Sequence, residues 1–73
     1  LSLKIDSSDN IKISNFEKIL RKTDLIYNFF ISKFDKDFIY YQVIFNGTPN
    51  NFLEIMEENN YNFNTQNKIW LLK

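Results

Sequence analysis

The residues able to do chemistry in this chain are few, and nearly all are carboxylates. Glu54, Glu57 and Glu58 fall on one side of a helix-like run, where paired carboxylates could serve as general acid and base. The same spacing also describes a solvated helix face, which is the commoner use of such a run. Asp35-Lys36-Asp37 places two carboxylates in a short polar break, without the further oxygen ligands of a calcium loop. Ser2, Ser7, Ser8, Ser14 and Ser32 have no activating partner, because the chain contains no histidine and nucleophilic catalysis would lack its usual base. It also contains no cysteine, so thiolate metal sites and disulfides are excluded. A single glycine cannot build a phosphate-cradling loop. The chain is therefore expected to be non-enzymatic, with no cofactor and no metal. Asn46-Gly47-Thr48 matches a glycosylation sequon, but its position between two regular elements marks it as a structural turn.

The elements that must position any site can be read from apolar spacing. Leu1, Leu3 and Ile5 alternate with Ser2, Lys4 and Asp6 as in a half-buried strand. Ser14-Asn15-Phe16-Glu17 has the S-x-x-E spacing of a capping box, which starts a helix at Ser14 that ends near Thr23-Asp24. Ile11 and Ile13 then belong to an extended lead-in. Leu25 to Phe34 and Phe38 to Phe45 are rich in Ile, Tyr and Phe, and with Asp35-Lys36-Asp37 between them they form a β-hairpin. The only glycine and the only proline lie at Gly47-Thr48-Pro49. There Thr48 suits the N-cap of a second helix and Pro49 its first position. Phe52, Leu53, Ile55 and Met56 give that helix its apolar stripe, and Asn59-Asn60 suits its end. Phe63, a polar turn and a last strand Lys68 to Leu72 complete the chain.

The order predicts a single α+β domain over residues 1–73, with ferredoxin-like β-α-β-β-α-β topology. Two helices pack on one face of a four-stranded, mainly antiparallel sheet. Helix one carries Lys18, Arg21 and Lys22 and helix two carries Glu54, Glu57 and Glu58, so adjacent helices of opposite charge are expected. Eight Phe, four Tyr and one Trp supply much of the core of a 73-residue chain that buries only roughly 60% of its unfolded surface. Lys, Ile, Asn, Phe and Tyr dominate and alanine is absent, a usage expected of an A/T-rich genome. Opening at Leu1 directly in strand alternation, the chain reads as a piece of a longer protein. No apolar run approaches the length of a membrane span.

Strand alternation separates two sheet faces. Leu3, Ile5, Phe29, Ile31, Tyr41, Val43, Phe45, Ile69 and Leu71 are expected to face the helices. Phe30, Phe34, Phe38, Tyr40, Ile44, Trp70 and Leu72 then lie on the opposite face, mixed with Lys4, Asn28, Ser32, Gln42 and Lys68. A solvated sheet face should be mostly polar. Phe30, Phe34, Phe38, Tyr40 and Trp70 are therefore the candidate interaction surface, for a homodimer, a neighbouring domain or another protein partner. Aromatics on an open sheet are also the device of the RNA-recognition motif. The third strand, Phe38-Ile39-Tyr40-Tyr41-Gln42-Val43-Ile44-Phe45, lacks the glycines and basic residue of that motif, and a formal charge of zero gives no field for nucleic acid or membrane.

Four segments carry a family resemblance: Ile13-Ser14-Asn15-Phe16, Tyr40-Tyr41-Gln42-Val43-Ile44-Phe45, Gly47-Thr48-Pro49-Asn50-Asn51-Phe52-Leu53-Glu54-Ile55-Met56 and Ile69-Trp70-Leu71-Leu72. In apolar spacing and turns the chain resembles the C-terminal domain of an uncharacterised proteobacterial family exported to the cell envelope. It is similar in the same way to POTRA-like and secretin N-domain modules. The resemblance implies a non-catalytic interaction or assembly module of a larger, envelope-associated bacterial protein, and assigns no functional residue. A small regulatory ligand-binding module of the same topology is the alternative expectation, followed by an RNA-binding domain.

Overall fold

A computed structural model describes all residues, 1–73. In chain order the elements are β1 (Ser2–Asp6), α1 (Asn10–Lys22), β2 (Ile26–Phe34), β3 (Phe38–Phe45), α2 (Pro49–Glu58), β4 (Phe63–Asn64) and β5 (Trp70–Leu72). The architecture is α+β, with two helices against a five-stranded mixed sheet of order β2-β3-β1-β5-β4. β1 pairs antiparallel with β3 and β3 antiparallel with β2. On its other side β1 pairs parallel with β5, which pairs antiparallel with β4. Both helical crossovers thus join parallel strands: β1 to β2 with β3 between, and β3 to β4 with β1 and β5 between.

The core is one cluster: Leu3, Ile5, Phe16, Leu20, Tyr41, Val43, Phe52, Met56, Phe63 and Leu72. Both helices point their buried residues at the same sheet face, Phe16 and Leu20 from α1 and Phe52 and Met56 from α2. Aromatic rings lock the layers edge to face. Phe16 lies 6.1 Å from Tyr41 and 6.0 Å from Phe63, while Phe52 lies 5.4 Å from Phe45. The Tyr41 hydroxyl donates to the Glu17 carboxylate at 2.5 Å, so the largest core side chain ends in a charge-assisted bond.

α2 begins where the turn residues indicate. The Thr48 hydroxyl accepts from the Asn51 N–H at 3.1 Å, and Pro49 occupies the first turn. A Cβ at Gly47 would sit 2.7 Å from Phe45 Cε2, so a larger residue would have to push aside the ring that packs 5.4 Å from Phe52. At the other end Asn60 takes a left-handed φ of 67°. The Asn60 N–H bonds the Glu57 carbonyl and the Tyr61 N–H the Met56 carbonyl, which closes the helix in a Schellman motif.

α1 starts earlier than expected. The Asp9 carboxylate accepts from the Lys12 N–H at 3.0 Å and caps a helix that begins at Asn10, so Ile11 and Ile13 are helical. Ser14-x-x-Glu17 has the right spacing for a capping box, but Asp9 follows at once on the turn in which Asp6 accepts from the Ser8 N–H. Glu17 is turned instead to Tyr41 and, at 3.1 Å, to Arg21. That ion pair lies within α1; the cations of α1 and the acids of α2 form none between them.

The sheet has five strands where four were expected. After the Schellman motif, Phe63 drops into the core, and its backbone pairs with Leu72 as the edge strand β4. The chain then turns back and inserts β5 between β4 and β1. The phase of β5 is also reversed. Trp70 stands opposite Leu3 and therefore shares the helix-facing side, with its ring 6.3 Å from Phe52 and 6.4 Å from Phe63. Leu72 is buried in the core, and Leu71 takes the open face opposite Lys4. Four consecutive apolar residues, Ile69 to Leu72, admit either phase, and only the pairing with β1 selects one. No helix is long and apolar enough to cross a membrane.

Candidate interaction surface

Three of the five candidate surface residues meet on the open face of the sheet. Phe38 and Tyr40 succeed one another on that side of β3, with rings 6.3 Å apart and edge to face. Phe30 stands opposite Gln42 on the same side of β2. Trp70 does not join them, because it packs among the core aromatics. Phe34 does not join them either. β2 departs from regular register between Ile26 and Asn28 and again between Ile31 and Lys33. Each bulge adds a residue and resets the alternation. Phe34 therefore falls opposite Ile39 on the helix-bearing side, where no helix covers it and it is 76% exposed.

Cations cover the open-face rings. Lys4 Nζ lies 4.6 Å from the centre of the Phe38 ring and Lys33 Nζ 4.7 Å from that of Tyr40. Their stems lie along apolar surface while the charges stay in water. The Gln42 amide donates to the Ser2 hydroxyl at 2.8 Å. At the hairpin end, Asp35 Oδ1 accepts from the Phe38 and Asp37 N–H groups at 2.8 and 2.9 Å. These bonds, Phe38 first, hold its carboxyl below the usual range. Tyr40, at 3.4 Å from Asp35 Oδ2, is raised, first by desolvation and then by the Asp35 charge. The Phe38–Tyr40 end of the face is thus a solvated, internally satisfied surface.

The uncovered apolar groups lie elsewhere, and sequence reasoning missed two of them. Tyr27 is 84% exposed and Ile31 49%, beside Phe30 at 50%. With Phe34, these are four large apolar side chains on one strand, and no residue of β2 is buried. Tyr27 also borders a shallow hollow with Ile44, Phe45 and Asn46. The alternation of β2 resembles that of β3, so nothing local in the sequence marks it as the outermost strand. Strand order does.

The carboxylates of α2 line a shallow open groove formed by Glu54, Glu57 and Glu58 alone. No cluster of three or more carboxylates is placed to hold a metal ion. What the arrangement can do chemically is offer a long sheet edge bordered by apolar side chains. Compared with known proteins, the chain matches no family model, no curated protein sequence and no solved structure.

Proposed function

We propose that this domain is a non-catalytic protein-interaction module of a larger, envelope-associated bacterial protein, and that it engages its partner through the β2 side of the sheet. One observation carries the reading: Tyr27, Phe30, Ile31 and Phe34 all stand exposed on a single edge strand. An edge strand offers unpaired N–H and C=O groups, and sheet extension uses them while flanking side chains select the partner. The β1-α1-β2-β3 half follows a ferredoxin-like plan, with β3 between β1 and β2, whereas the parallel β5 inserted between β1 and β4 departs from it. The envelope setting rests on the spacing and turn pattern of Gly47 to Met56 and of the segments that accompany it.

The test is a photo-crosslinking residue at position 30 of the parent protein in its native cell, with a matched residue at exposed Lys18 on α1. A discrete adduct at position 30 and none at position 18 is expected. No adduct at position 30, or equal labelling at both positions, would overturn the interaction reading.

A further inference from the structure

We propose that the partner of the β2 edge is a second copy of this chain, paired antiparallel about a twofold axis at Phe30. This rests on the interaction reading above and specifies its occupant and register. Side-chain phase along β2 supports this pairing. Ile26, Phe29, Ile31 and Phe34 lie on the helix-bearing side of β2, and Asn28, Phe30 and Lys33 on the open side. The two bulges, at Tyr27 and Ser32, stand almost symmetrically about Phe30. Pairing centred there sets Phe30 against itself, Phe29 against Ile31 and Ile26 against Phe34, each on a shared face. It also sets the bulged stretches Tyr27-Asn28 and Ser32-Lys33 against one another. Neighbouring registers fail. Centred on Phe29, Tyr27 beside open-face Ile44 would oppose helix-side Ile31; centred on Ile31, open-face Asn28 would oppose helix-side Phe34. An axis between residues slips the pairing by one and sets open-face Phe30 against helix-side Phe29 or Ile31, while the whole-residue shifts mismatch at the bulges, so one register remains.

The backbone agrees. The Asn46 N–H bonds the Leu25 carbonyl, and the Asp35 N–H bonds the Phe38 carbonyl. Alternation from either end makes the even-numbered residues of β3 the ones that bond β2. Phe30, opposite Gln42, therefore turns its N–H and C=O inward to β3. Phe29 and Ile31 turn theirs to the free edge, where a twofold axis at Phe30 joins each to the other on the second copy. Lys33 of one strand arrives beside the exposed Tyr27 phenol of the other. An isologous contact requires this self-complementarity.

Two cysteine variants and one proline variant test the pairing. The chain has no cysteine of its own. Phe30→Cys places two thiols across a non-hydrogen-bonded pair about 4.5 Å apart at Cα, within disulfide reach. Tyr27→Cys places its pair roughly 20 Å apart along the strands. Under mild oxidation Phe30→Cys is expected to form a covalent dimer and Tyr27→Cys to stay monomeric. Ile31→Pro removes an N–H that faces only the free edge, so β3 pairing and Trp70 fluorescence are expected to survive. Dimer affinity by sedimentation equilibrium should fall by about tenfold or more, since each dimer loses two donors. A chain that stays monomeric at about 1 mM, far above the range of specific association, overturns self-pairing and leaves the interaction reading to the position-30 adduct. A dimer that Phe30→Cys does not trap, or that folded Ile31→Pro does not weaken, overturns the edge register.

Discussion

β1 and β2 are both apolar strands of one sheet, and they end in opposite environments. β1 lies between β3 and β5, with Leu3 and Ile5 fully buried beneath the helices. β2 is longer and at least as apolar, yet it sits at the margin with none of its nine residues buried. Place in the strand order, not composition, decides the difference. The two short helices and the sheet together bury only ten residues. A chain of this size has too little volume to cover a fifth strand.

The sharpest way to break that contrast is to attack its buried side. Phe52→Ala removes a ring in contact with Phe45, Phe63 and Trp70, and is expected to cost about 3–5 kcal/mol. That is most of the stability of a small domain, so the variant should be largely unfolded by urea titration followed at Trp70. A fully folded Phe52→Ala would show that the centre of the sheet is no better anchored than its edge.

Tyr41→Phe comes next. It deletes the hydroxyl that donates to Glu17, at about 1.5–3 kcal/mol for a bond to a charged group. Burial, then the bond to Glu17 and its charge, raise the Tyr41 pKa far above the ordinary phenol value. A group with a raised folded pKa stabilises fully below its unfolded pKa, near 10, and loses that contribution as pH rises toward the folded value. Wild-type stability should therefore decline above pH ~10, with a shallower decline in Tyr41→Phe. Identical alkaline limbs would mean that Tyr41 is solvated.

Smaller effects sharpen the contrast at its margins. Thr48→Ala removes the cap of α2, for about 0.5–2 kcal/mol; an unchanged thermal midpoint would place the helix start elsewhere. Phe34→Ser, on the uncovered stretch of β2, should stay within about 0.5 kcal/mol of wild type in dilute solution. A large loss there would show β2 covered after all, and the contrast with β1 would fail.

How much of this was legible in the sequence depended on whether the cue was local. Gly47-Thr48-Pro49 and Asn59-Asn60 act through their own backbone, and both ends of α2 fell where they indicated. The β2–β3 hairpin was equally plain. The start of α1 was not, because Asp9 and Ser14 both satisfy the same capping rule and the turn after β1 decides between them. The phase of Trp70 and the existence of β4 depend on pairings with distant residues, Leu3 and Leu72. For the candidate surface, Phe30, Phe38 and Tyr40 followed from alternation. Phe34 escaped it because a bulge is invisible to a period of two. The lysines over Phe38 and Tyr40 reach across strands whose register no single segment records.

The parallel pairing of β1 with β5 also sets a timetable. Leu3 waits for Trp70 and Lys4 for Leu71, across nearly the whole chain, and such closures are slow because their loop entropy comes before any reward. The β2–β3 hairpin needs only a three-residue reversal at Asp35 to Asp37. During synthesis the strand that ends at the margin can therefore form first, while β1, made before it, stays half-paired until β5 has left the ribosome. A nascent chain halted before Trp70 would carry a finished hairpin and an open centre, the form in which this domain most needs protection.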